Sequence, residues 1–503
     1  MFRSIEMVKL FCLFHKDDRD DVLSGLQALG LVEFFDVRQR FPYLDKPKTS
    51  VRDVARRLER VKRLLVAMPP TRRETLEEKL LGPRMRPVQL LSKKTYDFLM
   101  ESRVRLDELE KEFEGLTPED LEDFRRTHRV ELLVLEEELE NALERMRALE
   151  KFGATKDTLV LGCWVTMEDV LRVRRTLRRV TDDACALSFE VPSKGENVPV
   201  VLDNPGFLKP YELLSEAYGV PRYREIDPTP ILAFTFTLFF GIMFADVGYG
   251  LVLVGLGLAV FLKTRVSNMV QRNLNLIIIY SGLASIFFGF LFGEFFGGTL
   301  HLGPHFIGHD MAETMELLMI LAISVGIVHI SISVISRLAS ARLADESLLY
   351  PASILAILWP TVALAFSRWE ALPPWATSLA KYLLAAGLLS LVKVKGIEAF
   401  DEIIALFANI VSYSRIAIIS VLHVVVARLL LESVSGLPRT PTGTIVGAVA
   451  FASGTVLILA MGVFITFIHS LRLHWLEFFK RFYTGMGETF KPFTRKSEYT
   501  YIQ

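Results

Sequence analysis

Two hydrophobic rhythms divide the chain. Before about residue 196, apolar positions come in short runs or at helical spacing among many charges; after 230 they run almost unbroken. In the first part, residues 7–14 form an apolar, strand-like run. The segment from Asp18 carries Val22, Leu23, Leu26 and Leu29 on one face, which predicts a helix ended by Gly30. Residues 31–37 read as a second strand. The same logic returns as strand 158–166, helix 168–179 and strand 184–191. Long charged helices lie between the two copies. One runs from roughly Arg72 to Glu114, broken near Pro83 and Pro87 and stopped by Gly115. Thr117, Pro118, Glu119 and Asp120 start the next: Thr as N-cap, Pro at the first helical position, acids in the first turn. Leu132, Leu135, Leu139, Leu143, Met146 and Leu149 then recur at steps of three and four, the seam of an antiparallel hairpin or coiled coil. The run Glu136 to Glu138 reads as a solvated helix face.

Six prolines crowd 197–230 and hold their predecessors extended, which marks a junction ending in Asp227-Pro228-Thr229-Pro230. Beyond it the pattern must be counted in membrane spans, each needing about 20 apolar residues to cross about 30 Å of hydrocarbon. Residues 231–262 would make one helix of roughly 48 Å, too long without severe tilt. Asp246-Val247-Gly248-Tyr249-Gly250 in its middle permits a turn, so two short spans are expected, 230–246 and 248–263. Six more follow, near 273–297, 314–336, 350–367, 376–392, 399–432 and 443–479, the last two long and strongly tilted. The expected fold is an α-helical membrane domain of about eight spans behind a cytoplasmic α+β domain with a helical hairpin. The expected domains are 1–196, a junction 197–229, a membrane domain 230–482 and a cytoplasmic tail 483–503.

Charge sharpens this division. The chain has 503 residues and balances 58 basic against 58 acidic side chains, but residues 1–228 hold 83 of those 116. No net charge points to nucleic acid. Cys12, Cys163 and Cys185 lack paired spacing, so neither a disulfide framework nor a zinc site is implied, and a reducing side is expected. The opening residues lack a cleavable signal pattern. With eight spans, Lys263, Arg265, Arg272, Arg337, Arg342, Lys393, Lys395 and the basic tail fall on one side, and the opposite loops hold only Arg368 and Arg439. By the positive-inside rule both termini are cytoplasmic.

Charges inside spans cost roughly 2.5–3.5 kcal/mol each on insertion scales and so become functional candidates. Arg415 lies well inside its apolar segment. On a helix of about 100° per residue, Asp401, Ser412 and His423 fall within roughly 80° of it. One face would then carry an acid, a hydroxyl, a guanidinium and an imidazole. A guanidinium cannot relay protons, but it can lower the pKa of a carboxylate that meets it. No carboxylate in these segments is placed to shuttle, so the shuttling acid is expected on another chain. His469 and Arg472 share a face near the end of the last segment, followed by His474 and Glu477. Arg428 reads as an interfacial anchor. Asp246 and Glu294, among glycines and aromatics, are open between lining water and bonding a helix break. His301, His305 and His309 read as a solvated loop rather than a metal site. No phosphate loop or catalytic triad is present, so no cofactor is called for.

The runs Phe239-Phe240-Gly241-Ile242-Met243-Phe244-Ala245-Asp246-Val247-Gly248-Tyr249-Gly250, Ser412-Tyr413-Ser414-Arg415 and His469-Ser470-Leu471-Arg472-Leu473-His474-Trp475, in that order, resemble one family. It is the membrane subunit of the V/A-type rotary ATPases: subunit I of archaeal-type ATP synthases and subunit a of the vacuolar enzyme. The resemblance implies a non-catalytic stator subunit in the cell membrane that translocates protons or sodium. It implies rotor-ring proteolipids, peripheral stalks and a central stalk subunit as partners, with no nucleotide bound by this chain. Arg415 matches the arginine that separates two half-channels and meets the ring carboxylate, and Arg472 the second arginine. Asp401, His423 and His469 match positions on the ion paths. Gly462 stands where vacuolar relatives carry a glutamate, so that half-channel must be lined differently. The cytoplasmic part is shorter than the family's, in its coiled coil. Two competing readings, a self-contained secondary transporter and a non-conducting scaffold, would respectively require an own midplane carboxylate or tolerate loss of Arg415.

Overall fold

The computed structural model describes all residues except 1–3, 48, 69–87, 90–94, 115, 117–119, 194, 224, 264–268, 298–310, 345–346, 368–371, 439, 498 and 502–503. The chain is mostly helical and divides into two compact units. One comprises Ile5–Val201 and Glu488–Gln503, the other Met1–Ser4 and Leu202–Gly487.

In the first unit the alternating strand pattern builds an antiparallel sheet. Strands β1 (Met7–His15), β2 (Glu33–Phe34), β3 (Gly153–Ala154), β4 (Thr158–Thr166) and β5 (Cys185–Glu190) pair in the order β2-β4-β1-β5, with β3 also on β4. Met7 stands opposite Thr166, and Leu10 opposite both Cys163 and Phe189. The period of two sends Leu10, Cys12 and Phe14 to one face with Leu159, Leu161, Cys163 and Val165. Helix α1 (Arg19–Leu29) covers that face with Val22, Leu23 and Leu26, beside Val173 and Leu177 of the later helix Val170–Val180. Gly30 ends α1 in the left-handed conformation at φ 66°, where a side chain would be strained. Cys12 and Cys163 are free, and burial pushes both thiols above their ordinary range. The expected strand 31–37 is shorter, because the Asp36 carboxylate accepts from the Arg38 backbone N–H at 3.0 Å and turns the chain into a tight helical turn, Val37–Gln39.

Three helices form the other half of this unit: α2 (Val51–Ala67), α3 (Thr95–Glu114) and α4 (Asp120–Leu149). All six seam residues expected on α4, Leu132 through Leu149, are buried, and most join Val54, Val61, Leu106 and Leu109 in one core. The expected breaks at Pro83 and Pro87, the stop at Gly115 and the cap at Thr117 lie outside the described residues. The acidic run on α4 is not a solvated face. Glu137 and Glu138 are buried because the segment after Glu488 folds over them. Glu137 accepts from the backbone N–H groups of Tyr499, at 2.6 Å, and Thr500, at 3.1 Å, and Glu138 pairs with Arg495. Helix α5 is Val170–Val180.

The helices of the second unit begin with Lys209–Tyr218 (α6). The long apolar run after Pro228 is two helices, α7 (Thr229–Met243) and α8 (Val247–Lys263). Next come α9 (Met269–Phe292), α10 (Met311–Ala344), α11 (Leu349–Phe366), α12 (Pro374–Lys395), α13 (Ala399–Ser412), α14 (Ser414–Ser435) and α15 (Pro441–Arg472). Thr440 caps α15 by accepting from Gly443 N–H at 3.1 Å. A π-helical turn, Leu473–Phe478, continues α15. Among the described residues, five helical stretches are long and apolar enough to cross a membrane: Met269–Phe292, Met315–Arg342, Leu349–Phe366, Pro374–Ser435 and Pro441–Arg481. Helices α7 and α8 are apolar but shorter.

Candidate functional site

Arg415 sits in the first turn of α14, just past the joint with α13 at Tyr413. Its Nη2 donates to Oε1 of Glu477 at 2.6 Å. Glu477 is only 5% exposed, whereas the arginine side chain keeps 20%. Arg415 Nη1 and Glu477 Oε2 are buried without a hydrogen-bond partner among the described residues. The guanidinium therefore has a resident counter-ion that leaves part of it accessible and part of its donor capacity unused.

The surface around it is open. Ile404, Phe407, Val411, Ile418, Leu422, Val426 and Leu429 are all exposed. Their steps of three and four place them, with Arg415, on one stripe along α13 and α14. Helix α15 is apolar and open along its length, with Ile445, Val449, Val456, Met461, Phe464 and Ile468 all exposed. Gly443, Gly447, Gly454 and four alanines thin that helix. Small residues of this kind let another helix approach closely within a bilayer.

Behind the arginine lies a packed aromatic layer. Tyr413 is fully buried, and its hydroxyl is 2.8 Å from Nδ1 of His329 on α10. The His329 ring stacks on Phe478 at 4.1 Å and 4° and lies 5.0 Å from the His474 ring. His474 Nδ1 donates to Ser470 O at 2.7 Å, and its Nε2 lies 2.7 Å from the Thr235 hydroxyl of α7. Ser333 donates to the Phe478 carbonyl at 2.8 Å. These contacts fix the π turn that carries Glu477 and the joint that carries Arg415 against the same imidazole. His329 and Thr235 are not among the residues that the sequence singles out, and Tyr413 enters there only within the run Ser412-Tyr413-Ser414-Arg415. The available signal was an imidazole deep in the apolar run Val328-His329-Ile330.

Other expected site residues are dispersed. His423 is buried, its ring 4.4 Å from Phe244 and 5.3 Å from Tyr249, with Nε2 unpartnered among the described residues. A Cβ at Gly462 would stand 3.3 Å from His423 Nδ1 and 2.6 Å from Phe244 Cε2. The Phe244 ring thus occupies the space beside His423 that a side chain at 462 would claim. Asp401 is exposed near the start of α13, and Ser412 donates to Ala408 O at 3.0 Å. Asp401, Ser412 and His423 are therefore not gathered with Arg415 in one polar cluster. His469 is half-buried, within electrostatic range of both Arg415 and Arg472, and Arg472 is exposed.

Asp246 and Glu294 belong to a second centre. Asp246, 1% exposed, accepts from the backbone N–H groups of Tyr249 at 2.9 Å, Phe296 at 3.0 Å and Gly297 at 2.9 Å. It bonds a helix break, tying the α7–α8 turn to the chain beyond α9. Glu294 takes Arg428 Nη2 at 2.5 Å. Arg428, expected as an interfacial anchor, has this intrachain carboxylate as its partner. Among the described residues, no group of His, Cys, Asp and Glu could hold a metal ion; His301, His305 and His309 lie outside them.

The sequence profile of the V-type ATPase 116kDa subunit family matches residues 93–312 and 391–495. The chain is 30% identical over 403 residues to A-type ATP synthase subunit I of Thermococcus kodakarensis, covering 74% of this chain and 59% of that protein. It is 29% identical over 426 residues to subunit I of Methanothermobacter thermautotrophicus, covering 81% and 62%. Subunit I of Halobacterium salinarum is 26% identical over 518 residues, covering 80% and 70%. The chain spans about 59% of the length of the first of these curated relatives. With the profile covering well over half of the chain, this protein belongs to the V-type ATPase 116kDa subunit family.

Proposed function

We propose that this chain is the stator membrane subunit of a V/A-type ATP synthase or ATPase, forming the ion half-channels beside a rotor ring whose carboxylates pass Arg415. Each ring carboxylate is protonated or sodium-bound while it faces lipid. At Arg415 the fixed positive charge favours the anion, so the ion is released toward one side and taken up from the other. The chain supplies no nucleotide chemistry. In this reading the apolar unit crosses the cell membrane eight times, with α7 and α8 as two short spans and α13–α14 and α15 as long tilted ones. The charged unit is cytoplasmic and binds peripheral and central stalk subunits.

One observation carries the reading: an arginine set in an exposed apolar helix stripe, paired through one nitrogen, with a fifth of its side chain still accessible. An arginine serving only the fold has no reason to break such a stripe, since a charge facing lipid is costly. His469 and Arg472 near the same end, and Asp401 and His423 further along the helices, are the residues assigned to the paths on either side.

The test is Arg415→Gln in the assembled complex, reconstituted into vesicles. ATP-driven ion uptake is expected to be lost while ring and stalk subunits still co-purify. Uptake at the wild-type rate would remove the assigned role.

A further inference from the structure

The function proposed above accounts for Arg415 but leaves its partner without a task. A guanidinium that alone faces an arriving carboxylate in an apolar medium would bind it tightly, and breaking a buried pair is costly. A rotor needs the opposite: each acid must be discharged and then let go. The geometry around Arg415 offers a way to do both. Glu477 already holds Nη2 at 2.6 Å; Nη1 is buried and unpartnered among the described residues, and a fifth of the arginine side chain stays accessible. A planar guanidinium has five donors and can donate to two carboxylates on different edges.

We infer that Glu477 is a positioning residue: a resident counter-ion that occupies Nη2 of Arg415 and leaves the remaining donors of the guanidinium for a carboxylate carried by a neighbouring helix. The arriving acid meets a cation already partly neutralised. It is deprotonated there but not trapped. As it leaves, Arg415 is not stranded as an unpaired charge, because Glu477 remains bound.

The surroundings are built for such a fixed pair. Glu477 belongs to the π turn Leu473–Phe478, a winding that is rare and concentrates at functional sites. Its neighbour Phe478 is pinned by the His329 stack and by Ser333, and His474 is pinned to Thr235 and Ser470. Tyr413 ties the arginine's end of the arrangement to the same His329. The titratable groups that sense the pair are His469 of α15, which also senses Arg472, and Tyr413 at the α13–α14 joint, which also senses Arg481; the buried His329 and His474 form the layer behind Tyr413. Of the carboxylates, Glu477 is the one hydrogen-bonded to Arg415 among the described residues.

This inference rests on the rotor reading, and its test separates the two. Glu477→Gln, Glu477→Asp and Arg415→Gln are each prepared in the intact complex. The readouts are ATP-driven ion uptake and the pH profile of carbodiimide labelling of the ring carboxylate, which reacts when protonated. Removing the Glu477 anion leaves Arg415 more positive, which favours the ring anion. The labelling midpoint is therefore expected to move to lower pH by about one unit, a tenfold change in proton affinity. Uptake should fall about tenfold while assembly persists, and Glu477→Asp should lie between Gln and wild type. An unchanged midpoint with unchanged uptake in Glu477→Gln overturns the inference. Should the Gln variant fail to assemble, Glu477→Asp decides: a wild-type midpoint and rate overturn it, a shifted midpoint supports it. Normal uptake in Arg415→Gln would instead sink the rotor reading itself.

Discussion

Arg60 and Arg415 both hold carboxylates at hydrogen-bond distance, one in each unit, and the two pairs do different physical work. Arg60 on α2 reaches Glu110 at 2.6 and 2.8 Å and Asp107 at 2.5 Å, with roughly a third or more of every partner in contact with solvent. Arg105 repeats the arrangement with Glu131. Water competes for each of these groups, so a surface pair contributes roughly 0.2–1 kcal/mol, and several together mainly fix which helix faces which. In the apolar unit there is little water to replace a lost partner. Breaking a buried pair from one side costs about 3–5 kcal/mol, and charges occur there only where something holds them. Abundant pairs thus carry little information about function, and rare ones carry a great deal.

The difference between the units can be broken most severely at Asp246. Its carboxylate satisfies three backbone N–H groups in an apolar surround. Asp246→Ala strands all three, at about 1–3 kcal/mol each. The expected outcome is loss of most folded protein on detergent extraction, read by yield and thermal unfolding. A variant that unfolds within a degree of wild type would show that burial alone does not make these bonds indispensable.

A middle case lies in the charged unit, where Glu137 is buried although the chain around it is water-facing. Glu137→Gln should release the segment around Tyr499 and Thr500, at a cost of about 1–3 kcal/mol. Faster amide hydrogen exchange at those two residues, with the hairpin unaffected, is the expected signature. Protection equal to wild type would mean that packing, not the carboxylate, holds the segment.

The smallest effect is expected at the hairpin surface. Arg60→Ala should cost no more than about 1 kcal/mol. The hydrogen bond from Arg105 holds the Glu131 carboxyl below its ordinary 4.5, and that from Arg60 holds Asp107 below 3.8. Depressed carboxylates stabilise the folded form above their ordinary values and lose that contribution as the pH falls through the depressed ones. Hairpin hydrogen exchange in the full chain should therefore be flat from about pH 7 to about 5 after correction for intrinsic rates, and should accelerate only below about 4. Loosening already at pH 6 would point to groups other than these pairs.

Much of the fold could be read from residue order. Strand 158–166 is Thr158–Thr166 in the structure, Gly30 does end its helix, and the seam from Leu132 to Leu149 is buried throughout. Each of these rests on local periodicity or on one residue's backbone preference. The strand 31–37 shrank because the Asp36 carboxylate, two residues from the backbone N–H it binds, favours a turn that hydrophobicity does not register. The acidic run Glu136 to Glu138 reads as solvated because the residues that cover Glu137 come more than 350 positions later. The site divides the same way. An arginine within an apolar run is visible at once, but the helical-wheel grouping of Asp401, Ser412 and His423 with it was too generous. It leaves out the neighbours each side chain meets: His423 packs on Phe244 and Tyr249, and Ser412 donates back to Ala408 O.

Order along the chain alone determined where charge is tolerated, where the backbone can turn and which rare polar groups need an explanation, because those depend on composition and short-range periodicity. Only tertiary structure decided who partners whom: Glu477 with Arg415, Glu294 with Arg428, Phe244 with His423 across the space above Gly462. These partners lie 62, 134 and 179 residues apart, and nothing local couples them. In an apolar surround an ion pair forms wherever packing brings the two groups within about 3 Å, and packing is a property of the whole unit.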